Sequence, residues 1–232
     1  PQGDLTKMLG QRRPHDLPHT LSEQMNAVVQ NQSGSEHPEI LHHPEGFDFV
    51  PANRRLSAVE VGLVNVMSRE TVLKRYLEGI KGSYDYVLLD CRPSLGMLVI
   101  NALSASDYVL IPVQAEYFAA ENMTELVNTV QNIKRQINPK LKIDGILFTM
   151  VDSRTNEAKE IIASLRAHYG EKIRVFGAEI PFSVRAAETS GRGKSIYAHD
   201  KNGKVAAAYH ALTKAVLEIE RKNERFRNDA VR

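Results

Sequence analysis

The residue that most directly suggests chemistry is Asp90, which ends the stretch YDYVLLD. Val87, Leu88 and Leu89 precede it as a short apolar run, which is typical of a strand buried on both faces of a parallel sheet. A carboxylate at the end of such a strand lies where α/β proteins bind ligands, and it could orient magnesium or an attacking water beside a terminal phosphate. The alternative is that Asp90 only caps the next turn, and the stretch alone does not separate the two.

Phosphate chemistry also requires a loop that binds the phosphate groups. Such loops carry glycines at fixed spacing before a Lys and a Ser or Thr. The only Gly-Lys-Ser in the chain is at residues 193–195, and the position that should hold the earlier glycine is Glu188. This segment is therefore a poor match to a phosphate loop, and the sequence contains no better one.

Length and composition restrict the classes of function. A chain of 232 residues can form one large α/β domain with a well-buried core. The net charge of +2 creates no field that directs the whole protein to nucleic acid or membrane, so DNA contact would depend on a local patch. The single cysteine, Cys91, excludes a disulfide framework and is consistent with a reducing cytoplasm. No apolar stretch approaches the roughly 20 residues of a membrane span.

The elements that would position Asp90 alternate between strands and helices, as in βαβ units. Strands are predicted at 47–52, 85–90, 108–113, 143–151 and 173–180. Helices are predicted near 56–66, 72–80, 95–105, 123–137, 157–169 and 203–222. The pattern indicates an α/β fold with a mostly parallel sheet, in a single domain spanning 1–232 whose polar tail, 221–232, is frayed.

Two local patterns add detail to the first third of the chain. Thr20 and Glu23 have the spacing of a capping box, which predicts a short helix through Met25 and Val29. Residues 30–46 are polar and contain Pro and Gly, so they are predicted to form a mobile surface loop.

Five stretches that cover nearly the whole chain occur in the order typical of one family. They are PQGD, FDFVPANRRLSAVEVGLV, RETVLKRYLEGIKGSYDYVLLDCRPSLGMLVINALSASDYVLIPVQAEYFAAENM, ILFTMVDSRTN and IPFSVRAAE. These motifs resemble the ParA family of bacterial chromosome and plasmid partition ATPases, in the branch often called Soj-like. The resemblance implies a three-layer P-loop NTPase-like fold with helices on both faces of a mostly parallel sheet.

The same resemblance implies how the start of the chain relates to the nucleotide site. In this family a strand, a phosphate loop, a helix and a second strand precede an Asp-Pro-Gln-Gly switch. The chain opens at Pro1, one residue after the switch aspartate, so that unit is expected upstream, and Gly3 is expected at the nucleotide. Asp90 corresponds to the Walker B acid, which contacts Mg²⁺ through a water. ATP and Mg²⁺ are expected only with the upstream unit present, and the intact protein is then expected to hydrolyse ATP to ADP and phosphate.

Residues for adenine and for DNA are also implied by the resemblance. Two loops wall the adenine pocket in this family, and the matching contributors are Met150, Asp152, Pro181 and Phe182. Arginines of the same two loops form a sequence-independent DNA surface, which maps onto Arg154 and Arg185, with Lys194 and Arg192 extending it. Arginine suits this role because its guanidinium pairs well with phosphate oxygens.

The function expected from the resemblance is ATP-dependent DNA partitioning or plasmid segregation. An ATP-sandwich homodimer would bind DNA non-specifically in the cytoplasm, on the nucleoid, and a ParB-like partner would stimulate hydrolysis. The alternative is a DNA-binding or regulatory module of the same fold that is independent of ATP. One departure concerns the second switch, where Arg92 replaces a usual proline and places a cation near the expected γ-phosphate or dimer interface.

Related families can be compared from sequence. The nitrogenase iron protein type needs two cysteines per subunit for its cluster, and one cysteine excludes it. The MinD type carries an amphipathic membrane helix, whereas the C-terminal tail here offers no apolar face. Hydrolases with a nucleophilic serine are disfavoured because no Gly-x-Ser-x-Gly elbow occurs.

Overall fold

The computed structural model describes residues 1–32, 37–92, 94–116 and 119–229, and it describes no side chains for 120, 122 and 222–229. The α-helices of this part are α1 (Asp4–Met8), α2 (Leu21–Val29), α3 (Arg55–Gly62), α4 (Val72–Ile80), α5 (Met97–Ala105), α6 (Ala119–Gln136), α7 (Asn156–Tyr169), α8 (Val184–Arg192), α9 (Ile196–His199) and α10 (Lys204–Asp229). The strands are β1 (Leu41–His43), β2 (Phe47–Phe49), β3 (Tyr108–Gln114), β4 (Lys142–Val151) and β5 (Val175–Pro181).

The chain divides into two compact units, and the boundary between them passes through α6. The first unit comprises Pro1–Asp107, Asn128–Leu141 and Ser190–Lys194. The second comprises Tyr108–Val127, Lys142–Thr189 and Ser195–Arg232. That both belong to one domain stays a prediction.

The second unit is built on a parallel sheet of order β3-β4-β5. Successive side chains of a strand point to opposite faces, and β4 is apolar on both. Ile146 and Phe148 pack into one buried cluster with Leu165 of α7. Leu147 packs into another with Val205 of α10. The predicted α/β arrangement, a parallel sheet flanked by helices, is therefore confirmed.

The first unit is mostly helical, and α4 lies at the centre of its core. The five apolar positions that predicted this helix are all buried: Val72, Leu73, Tyr76, Leu77 and Ile80. They belong to one cluster with Met25 of α2 and Leu56 of α3. The capping box is confirmed as well, because the Ser22 amide donates to the Thr20 hydroxyl at 3.3 Å and the Thr20 amide donates to Glu23 at 3.0 Å.

The predicted loop 30–46, of which residues 33–36 lie outside the described part of the chain, is wrong in its second half, because β1 forms there and pairs with β2 in an antiparallel hairpin. His43 is buried, and its ring stacks on Phe47 with centroids 4.5 Å apart. In the sequence, His42 and His43 gave this segment the polar character of a loop. The ring pair of His43 and Phe47 joins the two strands, so it exists only once the strands are aligned. At the other end of the chain, α10 runs to Asp229, beyond the predicted end at residue 222. Fraying of the tail stays a prediction.

The predicted strand 85–90 is also wrong in the described structure. No strand is formed between residues 84 and 92, and Leu88 is 92% exposed. An apolar segment becomes a strand only when a neighbour satisfies its backbone N–H and C=O groups, and none of β1–β5 pairs with this one. Asp90 therefore lies in an exposed segment and not at the end of a buried strand.

The helix after this segment, α5, is tied to α4 by the buried side chain of Asn101. Its Oδ1 accepts from the Leu73 amide at 3.0 Å, within the first turn of α4, where helical N–H groups lack partners. Its Nδ2 donates to the carbonyls of Arg69 at 2.8 Å and Met97 at 3.0 Å. One amide thus holds the beginnings of two helices together.

Replacing this amide tests its contribution. We expect Asn101→Ala to lower the free energy of unfolding by about 2–4 kcal/mol, because it leaves buried backbone groups without partners. Asn128→Ala, at an exposed position of α6, is the control and should change it by less than about 0.5 kcal/mol. Urea unfolding of both variants measures the difference, and equal effects would contradict this role of Asn101.

Candidate functional site

The residues predicted to contact nucleotide or DNA fall into two groups, one in each unit. Gly3, Asp90 and Lys194 belong to the first unit. Arg154 and Arg185 belong to the second, together with the four residues predicted for the adenine pocket, Met150, Asp152, Pro181 and Phe182. Each group has its own geometry.

In the first unit, Gly3 begins α1 in the left-handed conformation, with φ at 72°. A Cβ there would lie 2.9 Å from the carbonyl oxygen of Ala52, so the position is closed to larger residues. The contact is reinforced by Thr6, whose buried hydroxyl accepts from the Ala52 amide at 2.9 Å and donates to its carbonyl at 3.2 Å. Gly3 is thus required for the close packing of the start of α1 on Ala52.

Two glycines with positive φ allow this packing requirement to be isolated. Gly10 has φ at 93°, and a Cβ there would meet nothing within 4 Å. Gly10→Ala should therefore lower the free energy of unfolding only by the conformational cost, about 1 kcal/mol. Gly3→Ala adds the steric clash, and we expect at least about 2 kcal/mol. Chemical denaturation measures both, and an equal cost would show that Gly3 is not closely packed.

The amino group of Pro1 is partly buried, and this burial lowers its pKa. The positive charge of Arg92 lowers the pKa further, whereas the negative charges of Asp4, Glu60 and Asp90 oppose the shift. That Gly3 and Asp90 act together at a nucleotide stays a prediction.

Arg92 has a partner within its own unit. Its guanidinium lies 3.8 Å from Glu60, whose other carboxylate oxygen accepts from the Leu98 amide at 3.3 Å. Leu98 lies in the first turn of α5, where the backbone N–H groups favour an acid. Glu60 thus holds the segment after Asp90 and the beginning of α5 at the same point, and in this structure Arg92 serves that contact.

The described residues around Asp90 fit only part of a magnesium–nucleotide site. Asp90 supplies one exposed carboxylate. Within 1–32, 37–92, 94–116 and 119–229, no three His, Cys, Asp or Glu side chains gather as a metal site. The sequence of the chain also contains no matching phosphate loop. These residues do not form a complete binding site for ATP and Mg²⁺, so no catalytic step follows from them alone.

In the second unit, the parallel sheet brings the predicted adenine residues to one edge. Val151 pairs with Pro181, and the amide of Phe182 donates to the Val151 carbonyl at 3.0 Å. Met150 and Phe182 are both more than half exposed. The carboxyl ends of β4 and β5 therefore present a thioether and an aromatic ring to solvent at neighbouring positions.

Met150 has an unusual backbone. Its φ is 53°, in the left-handed region that a side chain such as Met rarely adopts. Its sulfur accepts from the Gln114 amide group at 3.0 Å, at the end of β3. The strain stands where α/β sheets bind ligands, which is consistent with a functional loop.

The carboxylate of Asp152 forms an ion pair with Arg154. The Nε and Nη2 of Arg154 donate to the two carboxylate oxygens at 2.8 and 2.7 Å, and its backbone amide donates at 3.1 Å. These bonds favour the ionised carboxylate and lower the pKa of Asp152 to about 2. The guanidinium remains 85% exposed.

The pairing of Asp152 with Arg154 can be read from a titration. Because the ionised form is stabilised, the ion pair exists above the ordinary pKa of 3.8 and is lost as the pH falls towards about 2. We expect Arg154→Ala to raise the pKa of Asp152 towards 3.8 in a carboxyl ¹³C NMR titration. Arg174→Ala, before the amino end of β5, should leave it unchanged. A pKa unaffected by Arg154→Ala would disprove the pairing in solution.

Arg185 also has an acidic partner. In α8, its Nη1 donates to Asp200 at 3.0 Å, and one turn later Glu188 contacts His199 at 3.2 Å. One ion pair and one contact between a histidine ring and a carboxylate therefore fasten α8 to the end of α9. Arg185 nevertheless keeps 70% of its side chain exposed.

Lys194 is exposed. In the sequence it comes directly after residues that line a positively charged cleft of the first unit. The cleft has a volume of about 410 Å³ and contains Lys7, Arg12 and Arg192 but no acid among its lining residues. Gly193 and Gly10 pack closely against each other in this cleft, because a Cβ on Gly193 would lie 3.3 Å from the Gly10 Cα. Arg192 and Lys194 thus belong to a positive surface that includes residues from the start of the chain.

Several contacts of these groups were absent from the sequence interpretation. The Asp-x-Arg spacing of 152–154 could have indicated the first ion pair, because a short turn brings such side chains together. No sequence signal connects Asp200 with Arg185, Glu60 with Arg92, or Arg12 with Arg192.

The comparisons with known proteins agree on one family. A family model described as an AAA domain matches residues 1–143. The sporulation initiation inhibitor protein Soj of Bacillus subtilis is 44% identical over 172 residues, which are 74% of this chain and 67% of that protein. The chromosome partitioning protein ParA of Myxococcus xanthus is 41% identical over 182 residues, 78% of this chain and 64% of that protein.

Solved structures show the same fold. Cobyrinic acid a,c-diamide synthase of Mycobacterium smegmatis superposes with a TM-score of 0.77 at 30% identity, covering 94% of this chain and 78% of that one. That enzyme has also been solved with ADP and magnesium and with an ATP analogue and magnesium.

Proposed function

The chain belongs to the ParA/Soj-type family of P-loop partition ATPases. From this premise we propose that the protein binds DNA without sequence specificity, in an ATP-dependent cycle that partitions chromosomes or plasmids. The observation that carries the proposal is the edge after β4 and β5. There Met150 and Phe182 present apolar surface, and Arg154 and Arg185 present two largely exposed guanidinium groups.

The chemistry of this edge suits both ligands. An exposed aromatic ring and a thioether can cover the face of a base. Pro181, the last residue of β5, restricts the backbone directly before Phe182. Exposed arginines suit phosphate because their planar forks donate two parallel hydrogen bonds. We assign Met150, Asp152, Pro181 and Phe182 to the adenine pocket, and Arg154, Arg185 and Lys194 to DNA.

In the first unit, we assign Asp90 and Gly3 to the nucleotide. Asp90 would accept a hydrogen bond from a magnesium-bound water, and Gly3 would hold the neighbouring switch segment in place. When bound with magnesium, ATP would supply a terminal phosphoanhydride bond. Its hydrolysis to ADP and phosphate would end the ATP-bound state of the protein. Arg92 and Glu60 keep the segment after Asp90 attached to α5, which limits the positions the acid can reach.

The wider cycle follows from the family. Two copies would enclose ATP between them as a homodimer, doubling the number of arginines available to DNA. A ParB-like partner bound at a centromere would stimulate hydrolysis, which would dissolve the dimer and release it from the DNA of the nucleoid. Within the described ranges, no helix is both long and apolar enough to cross a membrane.

Two substitutions in the full-length protein test the proposal. We expect Asp90→Ala to abolish ATP turnover, while Asp85→Ala, at an exposed position five residues earlier, retains it. Arg185→Glu should abolish DNA binding and leave ATP binding intact. Its control is Lys172→Glu, which precedes the amino end of β5 and should retain DNA binding.

The measurements are phosphate release and the fluorescence anisotropy of labelled duplex DNA, each with and without ATP. Turnover that survives Asp90→Ala would refute the role of that acid. DNA binding that is indifferent to ATP would instead favour the ATP-independent module.

A further inference from the structure

Both arginines assigned to DNA already bind a carboxylate. Arg154 places its Nε and Nη2 on the two oxygens of Asp152 at 2.8 and 2.7 Å. Arg185 places Nη1 on Asp200 at 3.0 Å. The groups that would donate to a phosphate are therefore the groups that donate to these acids.

The two acids are held in place while the arginines reach into solvent. Asp152 accepts a further hydrogen bond from the backbone amide of Arg154. Asp200 is only 18% exposed, and its own carbonyl accepts from the Gly203 amide at 2.9 Å just before α10. If an arginine turns to a phosphate, its acid stays behind as a negative charge close to the DNA.

We propose that Asp152 and Asp200 compete with DNA phosphates for Arg154 and Arg185 and so limit the strength of DNA binding. This inference rests on the proposed function, since it describes regulation of the same surface. An arginine fork that engages a carboxylate with two donors cannot engage a phosphate with the same two donors. Two-donor binding of a phosphate through Nε and Nη2 of Arg154 must therefore first release Asp152. Arg185 donates to Asp200 through Nη1 alone, so it must release that acid before Nη1 can take part in a two-donor contact with a phosphate.

The two ion pairs are weak enough for DNA phosphates to displace Asp152 and Asp200. Both arginines are largely exposed, and exposed ion pairs contribute little to stability because water screens them. Each acid should therefore lower DNA affinity by a few-fold only. Such a reduction keeps non-specific binding reversible, as a surface that must release DNA in every cycle requires.

The test replaces each acid by its isosteric amide in the full-length protein. We expect Asp200→Asn and Asp152→Asn each to tighten binding to a labelled duplex of arbitrary sequence by about two- to five-fold. Affinities are measured by anisotropy at two salt concentrations, with a non-hydrolysable ATP analogue at saturation so that an altered nucleotide affinity does not enter. The matched control is Glu171→Gln, which changes the net charge equally. It lies beyond the carboxyl end of the 14-residue α7, roughly 20 Å of helix from Arg154.

A double-mutant cycle separates competition from general charge. In an Arg185→Ala background, the gain from Asp200→Asn should be clearly smaller than in the parent protein, because the arginine that it would release is gone and only the removal of a negative charge remains. Thermal unfolding of each variant checks that α8 and α9 remain folded.

The outcomes distinguish this inference from the proposed function. If Arg154→Ala and Arg185→Ala weaken DNA binding but neither amide variant exceeds Glu171→Gln, the competition is refuted and the DNA surface stands. If the two arginine variants bind DNA as the parent protein does, the proposed DNA surface itself fails. A gain from Asp200→Asn that is equally large in the Arg185→Ala background would also overturn the competition.

Discussion

Hydrogen bonding between parallel strands is the interaction on which the proposed adenine and DNA surface of this protein depends. β4 has a neighbour on each side, so its backbone is satisfied and its apolar side chains are buried on both faces. Because the three strands run in the same direction, the loops that follow them emerge at one edge. That edge collects a thioether, an aromatic ring and two arginines from segments about 30 residues apart in sequence.

The same requirement explains the segment before Asp90. Residues 86–89 are as apolar as a buried strand, yet no described strand pairs with them, and Leu88 stays almost wholly exposed. Local contacts hold this region instead. Glu60 joins Arg92 to the beginning of α5, and Asn101 joins α5 to α4. The acid is thus carried by helices of the first unit and not by the sheet.

Charge is distributed in these sites as pairs and not as a uniform field. With a net charge of +2, the protein has little general attraction for DNA, so the proposed DNA affinity would depend on where individual cations are placed. The arginines at the sheet edge are exposed but neutralised nearby, whereas the cleft beside Lys194 has no acid in its lining. Within the cleft, however, Lys7 is also paired, with Asp4 at 3.0 Å, so pairing with a nearby acid occurs on both positive surfaces.

The sequence by itself determined the elements whose signals are local. Helical spacing defined α4 to the residue, alternating βαβ units predicted the parallel sheet, and the capping box located the start of α2. Motif resemblance indicated the family and selected Gly3, Asp90, Arg154 and Arg185. Only the tertiary structure decided that 85–90 is not a strand and that Asp200 meets Arg185. The reason is physical, since strand pairing and ion pairs depend on residues that are distant in the chain, and no local pattern records which partner a segment will meet.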